Sequence, residues 1–137
     1  MRVTLDTNIL ISALGWQGGL EYQIVLRCFQ HNLELVISPE ILVEFKQVAL
    51  RPKFGFSLED IEDFITALIE SSDFVLPEEK ISIIKDDPKD NIFLETAVTG
   101  HAQYIISGDK HLLNLGEFQG IQILRSSDFL AVLKRSS

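Results

Sequence analysis

The chain is poor in the residues that staple, anchor or signpost a protein. Its single cysteine, Cys28, leaves no partner for an internal disulfide, so a reducing compartment is expected. Cys28 falls in an apolar helical stretch and reads as a buried structural thiol. No apolar run approaches the roughly 18 residues of a membrane span. Asp6 interrupts any signal-like hydrophobic segment near the start. The expectation is a soluble, cytoplasmic protein that meets no membrane. Positive charge is also short: 12 Lys and Arg stand against 20 Asp and Glu, for a net charge of −8. That balance argues against a general nucleic-acid binder, which is usually basic. A P-loop, a G-x-S-x-G nucleophile elbow and a zinc-type Cys/His set are all missing. So are repeats and low-complexity segments.

What remains is a chain of 137 residues, 46% hydrophobic, enough for one domain (1–137) with a real core. The mean hydropathy of +0.18 hints at a buried oligomer surface, and a homodimer is expected. Hydrophobic periodicity alternates between strand and helix. Strands are expected at 3–5, 33–37, 104–107 and 121–124, with a short edge strand at 74–76. Helices are expected at 8–14, 20–29, 39–50, from Ser57 through Leu68, at 90–100 and at 127–133. Ser38-Pro39 opens the third helix with a capping serine and a proline at the first helical position. Strands separated by helices imply a parallel sheet covered on both faces, a three-layer α/β/α sandwich. In such sheets the functional site lies beyond the carboxyl ends of the strands.

That rule directs attention to the acids at strand ends. Asp6 follows the first strand directly, and Asp109 lies two residues after Ser107. Glu44 sits at the margin of the apolar stripe of Ile41, Phe45 and Val48, and Asp90 shares a stripe with Leu94 and Ala97. Asp90 also begins its helix, where the macrodipole favours negative charge. With 20 acids in the chain, position alone does not separate a shared carboxylate site from chance. Asp90 could equally be a helix-terminal charge, and Glu44 a boundary residue.

A resemblance bears on the choice. Asp6-Thr7-Asn8 after a first strand resembles the opening signature of PIN domains. Glu44 falls where that family has a helical acid. Asp87-Pro88-Lys89-Asp90-Asn91 with Phe93-Leu94 is similar to its third motif, and Ser107-Gly108-Asp109-Lys110 to its fourth. Arg51-Pro52-Lys53-Phe54 resembles a segment of the family's toxin branch. The resemblance runs in order over nearly the whole chain. It implies divalent metal, Mg²⁺ or Mn²⁺, at Asp6, Glu44, Asp90 and Asp109, with Asn8 and Ser107 as supporting polar residues. It also implies hydrolysis of RNA phosphodiester bonds, and the toxin's role beside an antitoxin protein. Asp87 competes for the third position, but its place before Pro88 puts it in the loop, so Asp90 is preferred. Hard oxygen donors suit these ions, and bound metal would offset the local negative charge.

Lys110, Arg51 and Lys53 are candidate contacts for RNA phosphates. Trp16, in the glycine-rich loop after the first helix, could stack a base, meet a partner or simply pack. His101 lies eleven residues after Asp90, roughly 16 Å along a helix, too far to share a metal. His31 reads as a helix-end residue. Two rivals stand beside the nuclease reading. One is another α/β metal-dependent phosphohydrolase; the haloacid-dehalogenase type wants a second acid at position 8, where this chain has Asn8. The other is a non-catalytic interaction module that retains the fold.

Overall fold

The computed structural model describes residues 1–136. Six strands form one sheet: β1 (Arg2–Leu5), β2 (Glu34–Ile37), β3 (Ser72–Phe74), β4 (Tyr104–Ile106), β5 (Glu117–Phe118) and β6 (Ile121–Leu124). Their spatial order is β3-β2-β1-β4-β6-β5. All described pairings are parallel except that of β5 with β6. The helices are α1 (Thr7–Gly15), α2 (Leu20–Phe29), α3 (Pro39–Ala49), α4 (Leu58–Ser71), α5 (Asn91–Thr99), α6 (Lys110–Leu115) and α7 (Ser126–Ser136). Single 3₁₀ turns at Pro52–Phe54 and Pro88–Asp90 lead out of α3 and into α5. The fold is a three-layer α/β/α sandwich around a mainly parallel sheet, as the alternating pattern implied.

From β1 the chain steps one way to β2 and β3, then crosses back to β4 and onward to β6. Right-handed crossovers therefore place the two sets of connecting helices on opposite faces of the sheet. Helix α5 packs on β1, β2 and β4, whereas α2 packs on α1, α4 and α7. The inner strands are apolar on both sides: Val3, Leu5, Val36, Ile105 and Ile106 are all buried. Such near-continuous apolar runs are what a doubly covered parallel strand requires. Cys28 lies inside this core, and burial pushes its thiol up to about 12, so it is an inert packing residue.

Two features hold the strand ends opposite the acids. The Arg2 guanidinium donates to Glu34 at 2.8 Å, to Asp73 at 2.6 Å and to the Gly100 carbonyl at 2.8 Å, tying β1, β2, β3 and the end of α5 together. Gly100 itself sits against Val36; a Cβ there would fall 2.1 Å from the Val36 Cγ1. His31 and His101 each follow a helix in the left-handed region, with φ of 61° and 55°. Both take the turn position that usually goes to glycine, in keeping with a helix-end reading.

Three differences from the sequence expectations are local. Strand β3 begins at Ser72, two residues before the expected edge strand, because α4 runs into it with no breaker between. Helix α6 and strand β5 were not expected. Strand β5 turns into β6 through Gln119 and Gly120, both at positive φ (50° and 84°), the two-residue hairpin geometry that matches strand twist.

Candidate active site

The chain reverses its direction of travel across the sheet between β1 and β4, and the crevice at such a switch point is where ligands bind in open α/β sheets. The backbone there is continuous: the Asp6 N–H donates to the Ile106 carbonyl at 3.1 Å. Asp6 and Ser107 therefore leave adjacent strands side by side. Asp6 caps α1, its Oδ1 accepting from the Ile9 N–H at 3.0 Å, while its Oδ2 accepts from the Ser107 hydroxyl. Ser107 Oγ in turn accepts from the Asp109 N–H at 2.9 Å. Asp109 caps α6 by accepting from the His111 N–H at 2.7 Å. Two carboxylates on two strand ends are thus fixed by one shared serine and two helix N-termini.

The third acid arrives from the opposite crossover. Pro88 starts a 3₁₀ turn whose fixed φ suits the opening of a helix, and the Asp90 N–H closes it on the Asp87 carbonyl at 3.0 Å. The turn brings both Asp87 and Asp90 to the cleft. Asn91 holds the preceding segment by accepting from the Ile84 N–H and donating to the Ile84 and Pro88 carbonyls. Glu95, one turn on and buried, accepts from the Ile81 N–H at 2.9 Å. Glu44, half-buried on α3, is the fourth acid, and it accepts from the Thr7 hydroxyl.

These groups line a single cleft of about 330 Å³. Its walls hold Asp6, Asn8, Glu44, Asp87, Asp90 and Asp109, together with the cations Arg51 and Lys89. Carboxylate oxygens of Asp87, Asp90 and Asp109 all lie within 4.8 Å of one another. The clustering has an electrostatic cost. Burial raises the Asp6 carboxyl above the usual range; hydrogen bonds from Ser107 and Ile9 only partly oppose this, and the charge of Asp109 adds to it. Asp90 is pushed up to about 8, first by burial and then by the charges of Asp109 and Asp87. Its Oδ2 is buried without a hydrogen-bond partner among the described residues.

An all-oxygen donor set, three carboxylates within one ligand sphere and an orphaned buried carboxylate oxygen fit a hard divalent cation. Asp87, Asp90 and Asp109 form the tightest group, with Asp6 and Glu44 on the same cleft.

The four acids read from the sequence all reach this cleft, as does Asn8, while Ser107 lies beneath it. Arg51 lines it as well. Lys53 and Lys110 are exposed and are not among its lining residues. Sequence reasoning set Asp87 aside as a loop residue and passed over Thr7 and Lys89. A Pro88-initiated turn was the available signal for Asp87, because it places the residue before the proline beside the helix start. Thr7 stood within the first motif. Lys89 stood within the third, and its own position gave no hint that it lines the cleft.

Fold and site together define a doubly wound α/β protein with a polycarboxylate cleft at the topological switch point. Residues 2–111 match the PIN domain family, and the chain belongs to that family. An uncharacterized protein of Methanocaldococcus jannaschii is 32% identical over 118 residues, which span 84% of this chain and 75% of that one. Among solved structures, the fold is similar to that in the crystal structure of VapBC2 from Rickettsia felis, bound to a DNA fragment from their promoter. That match has a TM-score of 0.60 at 14% identity and covers 90% of this chain and 97% of that one.

Proposed function

We propose that this protein is a metal-dependent ribonuclease that hydrolyses phosphodiester bonds in the carboxylate cleft. The observation that carries the reading is the convergence of Asp6, Glu44, Asp87, Asp90 and Asp109 on one cleft, with a buried Asp90 oxygen that has no hydrogen-bond partner among the described residues. Membership of the PIN domain family supports it. Mg²⁺ or Mn²⁺ would be held by Asp87, Asp90 and Asp109, with Asp6 and Glu44 completing the acidic wall. When bound, such an ion supplies positive charge to a phosphodiester and lowers the pKa of a water near it.

The chain's own residues do the rest. Ser107 and the Ile9 N–H keep the Asp6 carboxylate in one orientation. Thr7 does the same for Glu44. Arg51 and Lys89 line the cleft and would take up phosphate charge there, Arg51 through a planar fork that suits two phosphate oxygens. The reading extends to a toxin held in check by an antitoxin protein: a solved structure of similar fold is that of VapBC2, and an acidic cleft with few cations suits a basic inhibitory segment.

The test is cleavage of a labelled RNA pool by the purified protein with Mg²⁺, Mn²⁺ or EDTA, beside Asp6→Asn. Cutting that needs metal and is absent from the variant is the expected result. Metal binding without RNA cleavage, but with hydrolysis of small phosphoesters, would move the protein to the phosphohydrolase class. Absence of both metal binding and cleavage would leave a non-catalytic interaction module.

A further inference from the structure

We infer that the segment 51–56, together with Trp16, is a stacking platform along which a single-stranded RNA leaves the carboxylate cleft; the inference rests on the nuclease reading for its choice of ligand. The chain after α3 reads Arg-Pro-Lys-Phe-Gly-Phe, two cations followed by two aromatic rings. Arg51 is exposed and lines the cleft. Pro52 opens the 3₁₀ turn, which rises only about 2 Å per residue, so Phe54 lies close beyond Arg51. The rings of Phe54 and Phe56 are stacked, with centroids 5.5 Å apart and planes 6° from parallel. Lys53 Nζ stands over the Phe54 ring, 5.1 Å from its centroid.

The other side of the platform comes from the end of α1. A Cβ on Gly15 would meet the Phe56 ring at 3.1 Å, so the glycine lets this loop close against the helix end. The next residue, Trp16, is 74% exposed. Phe54 and Phe56 are themselves partly buried against the core, whereas Trp16 offers π-faces that core packing does not use.

Charge selects the occupant. In a chain of net charge −8, this strip places two exposed cations next to the acidic cleft and continuous with it through Arg51. Cations beside aromatic rings suit a strand of unstacked bases joined by phosphates. A duplex fits poorly, because its bases are already stacked on one another. An exposed cation–ring contact is weak, so Lys53 can exchange the Phe54 ring for a phosphate as a base takes its place.

Trp16 is the only tryptophan, so its fluorescence reports directly on the platform. The experiment titrates the full-length Asp90→Asn protein, which would not consume its ligand, with a short oligouridylate and with the same strand paired to oligoadenylate. The expected result is quenching by the single strand and little by the duplex. Phe54→Leu should weaken single-strand binding about tenfold. Lys53→Gln, at an exposed position, should reduce the slope of log affinity against log salt by about 0.7. Absence of quenching, or binding by both variants equal to the parent, overturns the proposal. A spectral shift that follows protein concentration and ignores RNA also overturns it, assigning the strip to a second copy of the chain. Quenching and variant effects that persist although the wild-type protein cuts no RNA would uphold the platform and remove the nuclease reading instead.

Discussion

Asp90 is the residue at which the cost of the site is concentrated. Its carboxyl holds a proton up to about pH 8 in the folded protein, against about 4 in an unfolded chain. Between those values the folded state binds more protons than the unfolded one, so stability falls as pH rises through this window. The buried carboxyl of Asp6 is shifted in the same direction. Metal-free protein should therefore melt at progressively lower temperature from pH 4 to pH 8. Millimolar Mg²⁺ or Mn²⁺ should recover the loss at pH 8, because a cation replaces the proton. Asp90→Asn should flatten the metal-free profile and lower RNA cleavage more than about 100-fold, beyond the usual loss for an outer-shell partner. Thermal denaturation across that range, with and without metal, checks the first two; an unflattened profile in Asp90→Asn would count against the assignment of the shift. Ser107→Ala is the milder case. It removes the hydroxyl that the Asp6 carboxylate accepts from and that itself receives the Asp109 N–H. A loss of about 10–100-fold in metal affinity with the fold intact is expected, measurable by calorimetry. At this scale the sequence was informative where an acid follows a strand, since the strand ends bring Asp6 and Asp109 to the same side of the sheet before Ser107 and the helix caps fix them. It was ambiguous between Asp87 and Asp90, because the choice depends on how a proline turns the chain. Burial, which sets the Asp90 shift, depends on neighbours distant in sequence.

Among the elements, the long amphipathic helices were legible and the short ones were not. Helix α4 has a serine cap accepting from the Asp60 N–H and a stripe of Ile61, Phe64 and Leu68 that is buried as its spacing required. Helix α6 has six residues, fewer than two turns, too short for periodicity to declare itself. It exists because Asp109 caps it, so a residue read as an active-site acid also starts a helix. Strand β5 is two residues long and is defined by its hairpin partner more than by its own composition. The end of α5 approaches β2 closely, and that approach depends on a glycine. Gly100 has φ of −87°, a conformation open to any residue, so its requirement is one of space alone. Gly100→Ala would drive a methyl into Val36, and overpacking of this kind typically costs about 1–3 kcal/mol. Urea denaturation measures it. A neutral effect would mean that α5 can slide along the sheet without consequence.

For the molecule as a whole, structure and charge are divided between the two edges of the sheet. One edge gathers five carboxylates into a cleft. The opposite edge is fastened by Arg2, which makes the two ion pairs found among the described residues. Exposed ion pairs contribute little singly, but here they share one guanidinium with a backbone carbonyl of α5. Arg2→Ala should lower stability by about 1 kcal/mol and leave the rate of RNA cleavage unchanged, since the two edges are separated by the length of the strands. Parallel melting and cleavage assays decide it. A matching loss of activity would show that the fastened edge also sets the geometry of the acids. The net charge, read from the sequence as an argument against nucleic acid, is in part a property of the cleft. Five of the chain's 20 acids line it. Composition cannot say where charges gather, so the acidic balance by itself does not decide the ligand.

The position of β1 in the sheet has a consequence for the timing of synthesis. It is the first strand to be made and lies at the centre of the order β3-β2-β1-β4-β6-β5. Its partner β4 begins at Tyr104, some hundred residues later. Domains generally fold as units during translation. Asp6 therefore waits for Ser107 and Asp109 until most of the chain has been translated. If the proposed nuclease reading holds, the emerging chain lacks a complete carboxylate cleft until Ser107 and Asp109 have been made.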